Sequence, residues 1–294
     1  MRFTAAICIL LMFVGVFTGC TASERAGLPE RLTLYLTEEK RIITLTRAEY
    51  LTGCILACTD PSFQPETLKA AAAACCGHAL SVMNERSPAE FMGADLSDDP
   101  GRCPAWISPE EFLEDYCAGQ ESTSRKLTAA VEYAAALCPG YGGAPAYTPV
   151  FRCSTGITDD GGLPWLPEDS ACPWYSSTCT VPAEYARKAL REYTGSVVLP
   201  PSPVDWFTDP EYTPGGVLLT VRFGDSEVTG EQLRQAFGLR SSAVTITVSR
   251  EEMTFTSRGC GGNTGMSAYS AERLARGGMS AEEIFAYFFP GVAL

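Results

Sequence analysis

The first part of the chain changes from a period of two residues to a helical period. "RLTLYL" (31–36) and "RIITL" (41–45) alternate apolar and polar residues, which predicts a β-hairpin. Thr46 is followed three residues later by Glu49, a capping-box pattern that marks a helix start. We therefore predict a helix from this position to about Cys58.

A second helix is predicted where Pro65 fits the first helical turn, and it should extend to about Met83. Its AAAAACC centre (70–76) has very small side chains and should pack closely against a neighbour. A further helix start is predicted at Ser108, and an amphipathic pattern covers 124–138.

The remaining chain mixes short strands with helices. Residues 139–182 are dense in Gly, Pro, Ser, Cys and aromatic residues, which predicts short strands and ordered loops. Alternating patterns predict strands at 216–223, 242–249 and 253–257. Helices are predicted to start at Thr229 and Ser280, and another is predicted near 267–277. Without strict βαβ alternation, this order predicts an α+β fold with mostly antiparallel strands.

We expect residues 31–294 to form a single domain. Pro200-Pro201-Ser202-Pro203 is either an internal hinge, because consecutive prolines are stiff and extended, or a loop within that domain.

Composition narrows the possible partners. The 294 residues are 46% hydrophobic and 19% charged, with a net charge of −13, which is typical of an acidic globular protein. Such a surface repels phosphate, so no nucleic-acid partner is expected. An uncharged or cationic partner, such as a glycan, is compatible with this charge.

The N-terminal segment is typical of a targeting sequence. An apolar run over 3–19 follows Arg2 and ends at Cys20 in "FTGC", which resembles a bacterial lipobox. Residues 1–20 are therefore a lipoprotein signal with Cys20 as the lipidated residue, an uncleaved membrane anchor, or a plain secretion signal, and 21–30 form a tether. Each alternative predicts an extracytoplasmic protein, and the first two anchor it to the membrane.

Cysteine usage agrees with an extracytoplasmic location. Eleven of the 13 cysteines remain when Cys8 and Cys20 are set aside, and we expect some disulfides and at least one free thiol or intermolecular bridge. The chain has no C-x-x-C pair, and its one histidine is His78. We therefore predict no metal site and no cofactor.

Three ordered motifs carry a family resemblance. They are "YLTGCILACTDPSFQPETLKAAAAACCGHAL" (50–80), "TGEQLRQAFGLRSSAVTI" (229–246) and "GCGGNTGMSAYSAERLARGGMSAEEIFAYFFPG" (259–291). Together they resemble the stage II sporulation protein D family of peptidoglycan-acting proteins, which is related to amidase-enhancer proteins. The resemblance implies one α+β domain that binds peptidoglycan glycan strands, with a cell-wall hydrolase or amidase as a possible partner.

The resemblance also implies a lytic transglycosylase reaction, but the chain departs from the family at the reacting group. Active members use one glutamate to protonate the glycosidic oxygen of glycan strands without stem peptides. Cys58 occupies that position here, and Cys76 occupies the position of the family's arginine, while Lys69 is retained. A thiol is a weak acid, with an ordinary pKa of about 8.5. Asp60, or with less support Glu49, is a candidate displaced acid, and whether the chain is an enzyme is left open.

The glycine-rich motif is retained only in part. Gly265, Met266, Ser267 and Tyr269 match the family pattern, whereas Gly262 replaces a histidine and Ala268 a glutamine. The four retained residues are predicted to contact the glycan.

"RCSTGIT" (152–158) resembles the Ser/Gly-rich loop that lines the family's glycan groove. Its polar positions either contact sugar hydroxyls or form a strand-connecting turn; they are Ser154, Thr155, Gly156 and Thr158. Aromatic residues of the same region either stack on sugar rings or pack internally; they are Tyr141, Trp165, Trp174 and Tyr175.

Some family members bind zinc through one His and two Cys near residues 97–104. Ser97 and Arg102 occupy two of those positions here, and only Cys103 survives. One thiolate does not make a zinc site.

The cysteines of the first two helices have three possible roles. Cys54 and Cys58 lie on one helix face, and Cys75 and Cys76 lie on the next helix. A disulfide between the helices, simple burial and a redox-active cluster remain open, and His78 is either a core residue or a ligand.

Three functional hypotheses follow. The first is an anchored, sporulation-type cell-wall protein that binds glycan strands without efficient cleavage. The second is an active lytic transglycosylase with a displaced acid. The third is a non-catalytic envelope scaffold without glycan affinity.

Overall fold

The computed structural model describes residues 27–87, 89–110, 112, 121–158 and 169–294. Helices within these ranges are α1 (Arg47–Cys58), α2 (Pro65–Glu85), α3 (Glu121–Ala135), α4 (Ala183–Thr194), α5 (Gly230–Phe237), α6 (Ala268–Arg276) and α7 (Ala281–Phe288). The strands are β1 (Arg31–Leu36), β2 (Arg41–Thr46), β3 (Leu96–Ser97), β4 (Gly140–Tyr141), β5 (Ala144–Pro145), β6 (Val150–Phe151), β7 (Ser176–Pro182), β8 (Phe207–Tyr212), β9 (Leu218–Phe223), β10 (Ser226–Thr229), β11 (Val244–Val248), β12 (Glu252–Arg258) and β13 (Met266–Ser267).

Small, mostly antiparallel sheets alternate irregularly with the helices, which confirms the α+β prediction. The three-stranded sheets have the orders β2-β1-β3, β10-β9-β8 and β11-β12-β7. The hairpin predicted at the start of the chain is present, with Arg31 opposite Thr46 and Leu36 opposite Arg41. Among the described pairs, β1–β3 and β13–β6 are parallel.

Three helices begin where the capping patterns predict. The side chains of Thr46, Thr229 and Ser280 each accept a hydrogen bond from the backbone N–H three residues later. The side chain at that later position accepts one from the backbone N–H of the cap residue. Each pair satisfies two backbone donors that a helix start otherwise leaves open.

The core of the N-terminal half is built around α2. Its small side chains let neighbours approach closely on several faces: α1 and α3 pack on it, and so do the C-terminal helices α6 and α7. Ala70, Ala71, Ala73 and Ala74 are fully buried against a cluster that includes Phe285. The close packing predicted from the AAAAACC sequence is therefore present.

A second core lies between α4, α5 and the two sheets of the C-terminal half. Phe223 and Phe255 are fully buried there, and Phe237 stacks on Phe255 with 4.1 Å between the ring centroids. Near the predicted hinge, the Trp206 indole N–H donates to the Pro200 carbonyl at 2.8 Å. The proline segment is thus tied to this core.

Some predictions fall outside the described residues. They are the N-terminal anchor with Cys20, most of the tether, most of the helix after Ser108, and Trp165. Among the helices of the described ranges, none combines the length and apolar character that crossing a membrane requires.

Candidate functional site

A cavity of about 340 Å³ is lined by residues of both the first motif (50–80) and the last motif (259–291). Thr59, Asp60 and Pro61, directly after α1, form one side, and Cys260 of the glycine-rich segment lies among the other lining residues. The remaining lining residues are Phe112, Arg152, Trp174 and Arg240. The cavity therefore combines an aromatic surface with two cations and a carboxylate, within the size range of small-ligand sites.

Arg152 holds the cavity together. Its guanidinium donates to the carbonyl of Ala57 at 2.8 Å, in the last turn of α1, and lies 4.2 Å from the ring centroid of Trp174. A cation at a helix C-terminus complements the negative end of the helix dipole. The same side chain thus positions α1 and an aromatic wall of the cavity.

Cys58, at the family's glutamate position, does not line this cavity. It is the last residue of α1, is 6% exposed, and its thiol donates to the carbonyl of Cys54 at 3.1 Å. A hydrogen bond with Cys75 and burial raise the pKa of the Cys58 thiol well above its ordinary value. A thiol held neutral in this way is a poor proton donor.

Asp60 lies two residues further on and does line the cavity. It is half-buried, and its Oδ1 accepts a hydrogen bond from the backbone of Ser62 at 2.8 Å. This is the geometry of a turn residue, and it leaves the second carboxylate oxygen available. Within the described lining, Asp60 is the carboxylate that could reach a bound ligand.

The other residues expected around the reacting group lie elsewhere. Lys69 forms an ion pair with Glu66 at 2.7 Å, and Glu66 also accepts from the backbone of Ala281 at the start of α7. Cys76 is buried next to the Leu137 carbonyl, 3.6 Å from its Sγ, and burial raises its thiol pKa to about 12. Neither residue lines the cavity.

The cysteines between α1 and α2 are buried thiols in the structure. Cys75 hydrogen-bonds with both Cys54 and Cys58. These contacts match the simple-burial alternative rather than an interhelical disulfide. His78 is also buried, edge-on to the ring of Tyr147 with 4.8 Å between centroids, and desolvation lowers its pKa to about 4. It is a core histidine.

The Ser/Thr-rich loop turns its first hydroxyl inward. Ser154 is fully buried, and its Oγ accepts from the backbone of Gly156 at 2.9 Å. Thr155 donates to the carbonyl of Gly215, and Thr158 is also buried. Backbone support is therefore the observed role of Ser154 and Thr155, and direct contact of the loop with a glycan stays a prediction.

Asp169 joins this loop to the glycine-rich motif. It is 3% exposed, and its carboxylate accepts from the Ser154 backbone (2.9 Å), from Ser267 Oγ (2.6 Å) and Ser270 Oγ (3.0 Å), and from Arg273 (3.0 Å). A buried carboxylate requires such complete pairing. Ser267, predicted to contact glycan, is therefore occupied by Asp169 and by capping α6.

The retained residues around Ser267 have packing roles in the structure. Gly265 has φ +79, and an added Cβ would lie 2.2 Å from the Pro149 carbonyl oxygen. Met266 is fully buried in the β13–β6 pair. Tyr269 packs edge-on to Phe63 and hydrogen-bonds with the Cys172 thiol. Gly262, at the family's histidine position, has open space around its Cβ direction.

A second cavity, of about 520 Å³, is lined in part by Tyr269 and Phe63. Asp169, Glu272, Arg273 and Arg276 line it. Glu272 is buried but already accepts from Gln64 (2.8 Å), Thr67 (2.8 Å) and Arg276 (2.7 Å). Its carboxylate is therefore structural.

The residues at the positions of the family's zinc site (97–104) make contacts with other protein groups. Cys103 is buried and its sulfur accepts from the Ser97 backbone at 3.3 Å, while Arg102 pairs with Glu90 and lies over the ring of Phe91.

The sequence reasoning missed Arg152, Arg240, Cys260 and Asp169. Arg152 is the first residue of the Ser/Thr-rich loop and Cys260 lies inside the glycine-rich motif, so their place in these motifs could have indicated both. Asp169 and Arg240 have no local signal, because their roles depend on contacts with distant segments.

The fold and the cavity define an α+β protein in which the first and last motif segments build one site. The chain is 26% identical over 278 residues to stage II sporulation protein D of Bacillus subtilis (strain 168), an alignment that covers 90% of this chain and 79% of that protein. It is 25% identical over 277 residues to stage II sporulation protein D of Bacillus amyloliquefaciens, with 90% and 78% covered. No protein-family model matches the chain. The two relatives show that the chain is related to the stage II sporulation protein D family.

Proposed function

We propose that this is a sporulation-type cell-wall protein that works outside the cytoplasm and binds peptidoglycan glycan strands in the 340 Å³ cavity, without efficient cleavage. The observation that carries the proposal is the cavity itself, in which Thr59 and Asp60 face Cys260 and the aromatic ring of Trp174. Anchoring through the N-terminal segment is part of the proposal. The proposal also includes an amidase or another cell-wall hydrolase as a partner of this protein.

The chemistry of the cavity fits a glycan that has lost its stem peptides. Removal of the peptide leaves a free carboxylate on each lactyl group, and Arg152 and Arg240 supply cations in an otherwise acidic protein. Trp174 adds to the lining an aromatic side chain of the kind that packs against sugar rings. Efficient cleavage is not expected, because the thiol of Cys58 is neutral and buried.

A second candidate function is a lytic transglycosylase that uses Asp60. The observation in its favour is that Asp60 lines the cavity while Cys58 does not. The leaving oxygen would take a proton from the Asp60 carboxyl. The 6-hydroxyl of the sugar would attack the anomeric carbon and give its own proton back to the Asp60 carboxylate.

One experiment separates these functions from a scaffold without glycan affinity. Purified full-length protein is incubated with denuded peptidoglycan and with peptidoglycan that keeps its stem peptides. We expect the protein to co-sediment more strongly with the denuded material. The Arg240→Gln variant should lose this co-sedimentation. The Arg187→Gln variant, which changes an exposed arginine of α4, should keep it. Release of anhydro-ended products that stops in Asp60→Asn would support the second candidate, and absence of any binding would support the scaffold.

A further inference from the structure

Three cysteine thiols meet at the wall of the cavity. Cys153 hydrogen-bonds with both Cys172 and Cys260 and is the central member. They come from three separate segments: the loop after β6, the turn before β7, and the glycine-rich motif. We refer to Cys153, Cys172 and Cys260 as the thiol triad.

The backbone places two of these residues directly opposite each other. Cys153 and Cys260 form an isolated antiparallel bridge and exchange both hydrogen bonds, with N···O distances of 3.2 and 2.9 Å. Such a pair has Cα atoms about 5.5 Å apart. Disulfides span Cα separations of about 4.4–6.8 Å, so these two sulfurs can bond with little movement of the chain.

Cys260 is the member that a solute can reach. It is half-buried and lines the cavity together with Arg152 and Arg240, whereas Cys153 and Cys172 are buried. A hydrogen bond from Cys153 and the charges of Arg152, Arg240 and Arg234 lower the pKa of Cys260 to about 7. Because the thiolate is the reactive form, Cys260 is the nucleophile of the group.

We propose that the thiol triad is a disulfide-exchange site. The Cys260 thiolate attacks a disulfide RS–SR that enters the cavity, forming Cys260–S–S–R and releasing RS⁻. Hydrogen bonds with Cys172 and Cys260 raise the pKa of Cys153 in the reduced triad. Once Cys260 is in the mixed disulfide its thiolate no longer accepts such a bond; Cys153 then loses its proton to solvent and attacks the Cys260 sulfur, which forms the Cys153–Cys260 disulfide and releases a second RS⁻. Two protein thiols are oxidised, and one disulfide is reduced to two thiols.

The product would link the two segments that meet at the cavity. Cys153 is the second residue of the Ser/Thr-rich loop, and Cys260 directly precedes Gly261, whose backbone N–H donates to the Arg240 carbonyl. Cys172 is the alternative partner of Cys153, so the disulfide can also pass to the turn that carries Trp174. The site is independent of whether the cavity binds glycan.

The test uses reduced, desalted full-length protein and oxidised glutathione at pH 7. Samples are quenched over time with N-ethylmaleimide and mapped by non-reducing peptide mass spectrometry. We expect glutathione on Cys260 first, followed by a Cys153–Cys260 disulfide, and stable glutathione on Cys260 in Cys153→Ser. Cys179, a half-buried cysteine of β7 outside the triad, serves as the control, and Cys260 should react about threefold faster or more.

Glutathione spread equally over Cys179 and Cys260, or an intramolecular disulfide that omits Cys153, would overturn the proposal. If Cys153→Ser does not fold by circular dichroism, the order of products in the unsubstituted protein decides alone. A time course in which no adduct on Cys260 precedes the disulfide would also contradict it.

Discussion

The guanidinium of Arg152 lies over the indole of Trp174 while it donates to the carbonyl of Ala57. This one side chain therefore joins the end of α1 to the turn before β7, across the candidate cavity. The contact with the indole depends on the positive charge, and the charge also strengthens the bond to the end of the helix.

We expect Arg152→Gln to lower the free energy of unfolding by about 1–3 kcal/mol, because the helix end and the indole both lose the cation. Arg152→Lys should have an intermediate effect, since it keeps the charge without the planar fork. Urea denaturation measures both variants. Arg187→Gln is the control because its ion pair with Glu184 is exposed, and a loss of similar size there would contradict the assignment.

Asp169→Asn should lower the free energy of unfolding by about 2 kcal/mol or more. The substitution removes a buried charge that accepts hydrogen bonds from two serine hydroxyls, one backbone N–H and Arg273. Asp225→Asn is matched in chemistry but exposed, with a single bond to the Val198 backbone, and should change stability little. If chemical denaturation showed equal losses of stability for Asp169→Asn and Asp225→Asn, the buried network would not contribute more to stability than the single exposed bond.

His78 should make the protein less stable in acid. Its pKa is about 4 in the folded protein and near 6.5 when exposed, so the unfolded chain binds more protons between these values. Stability must then fall as the pH drops from 6.5 towards 4, by up to about 3 kcal/mol from this residue. His78→Gln should reduce the slope of unfolding free energy against pH in that window, and an unchanged slope would refute the assignment.

Two glycines of one motif should respond in opposite ways to alanine. Gly265→Ala would place a Cβ 2.2 Å from the Pro149 carbonyl oxygen at a positive φ, so we expect a loss of at least about 2 kcal/mol. Gly262→Ala meets nothing within 4 Å and should stay within about 0.5 kcal/mol of the unsubstituted protein. Thermal melts of both variants provide the comparison.

Cys58→Glu should destabilise the protein without giving efficient glycan cleavage. The new carboxyl would be buried between α1 and α2, where Cys54 and Cys75 now fill the space. Burial raises the pKa of such a group, so the loss should be larger at pH 7 than at pH 5. Cys58→Gln has the same shape without the charge and should lack this pH dependence. Efficient release of anhydro-ended products by Cys58→Glu would show that position 58 reaches the substrate.

The parts of the fold that could be predicted are those with local signals. Thr46, Thr229 and Ser280 mark helix starts through contacts only three residues long, and β1 and β2 alternate regularly. Helix α4 was not predicted, although its apolar positions Ala183, Ala186 and Leu190 have helical spacing. The strand β8 is almost entirely exposed and so has no alternation to detect.

The candidate site could be predicted only to the level of its segments. The motifs pointed to the segment at the end of α1 and to the glycine-rich segment, and residues of both segments line the cavity. They did not indicate which side chains face it, because α1 is buried on most sides and any of its faces could have been the open one. Tertiary packing determines that the Cys58 side chain is buried while the Asp60 side chain lines the cavity.

The position of α2 has a consequence for the order in which the chain can fold. Its alanine face is covered by Ile284, Phe285 and Phe288 of α7, which come much later in the chain than α2. The second core, in contrast, takes all its members from residues 179–255 and can assemble earlier. A nascent chain therefore carries an uncovered apolar helix until α7 has been synthesised, and interruption before α7 would release a product in which the second core is packed and the alanine face of α2 is not.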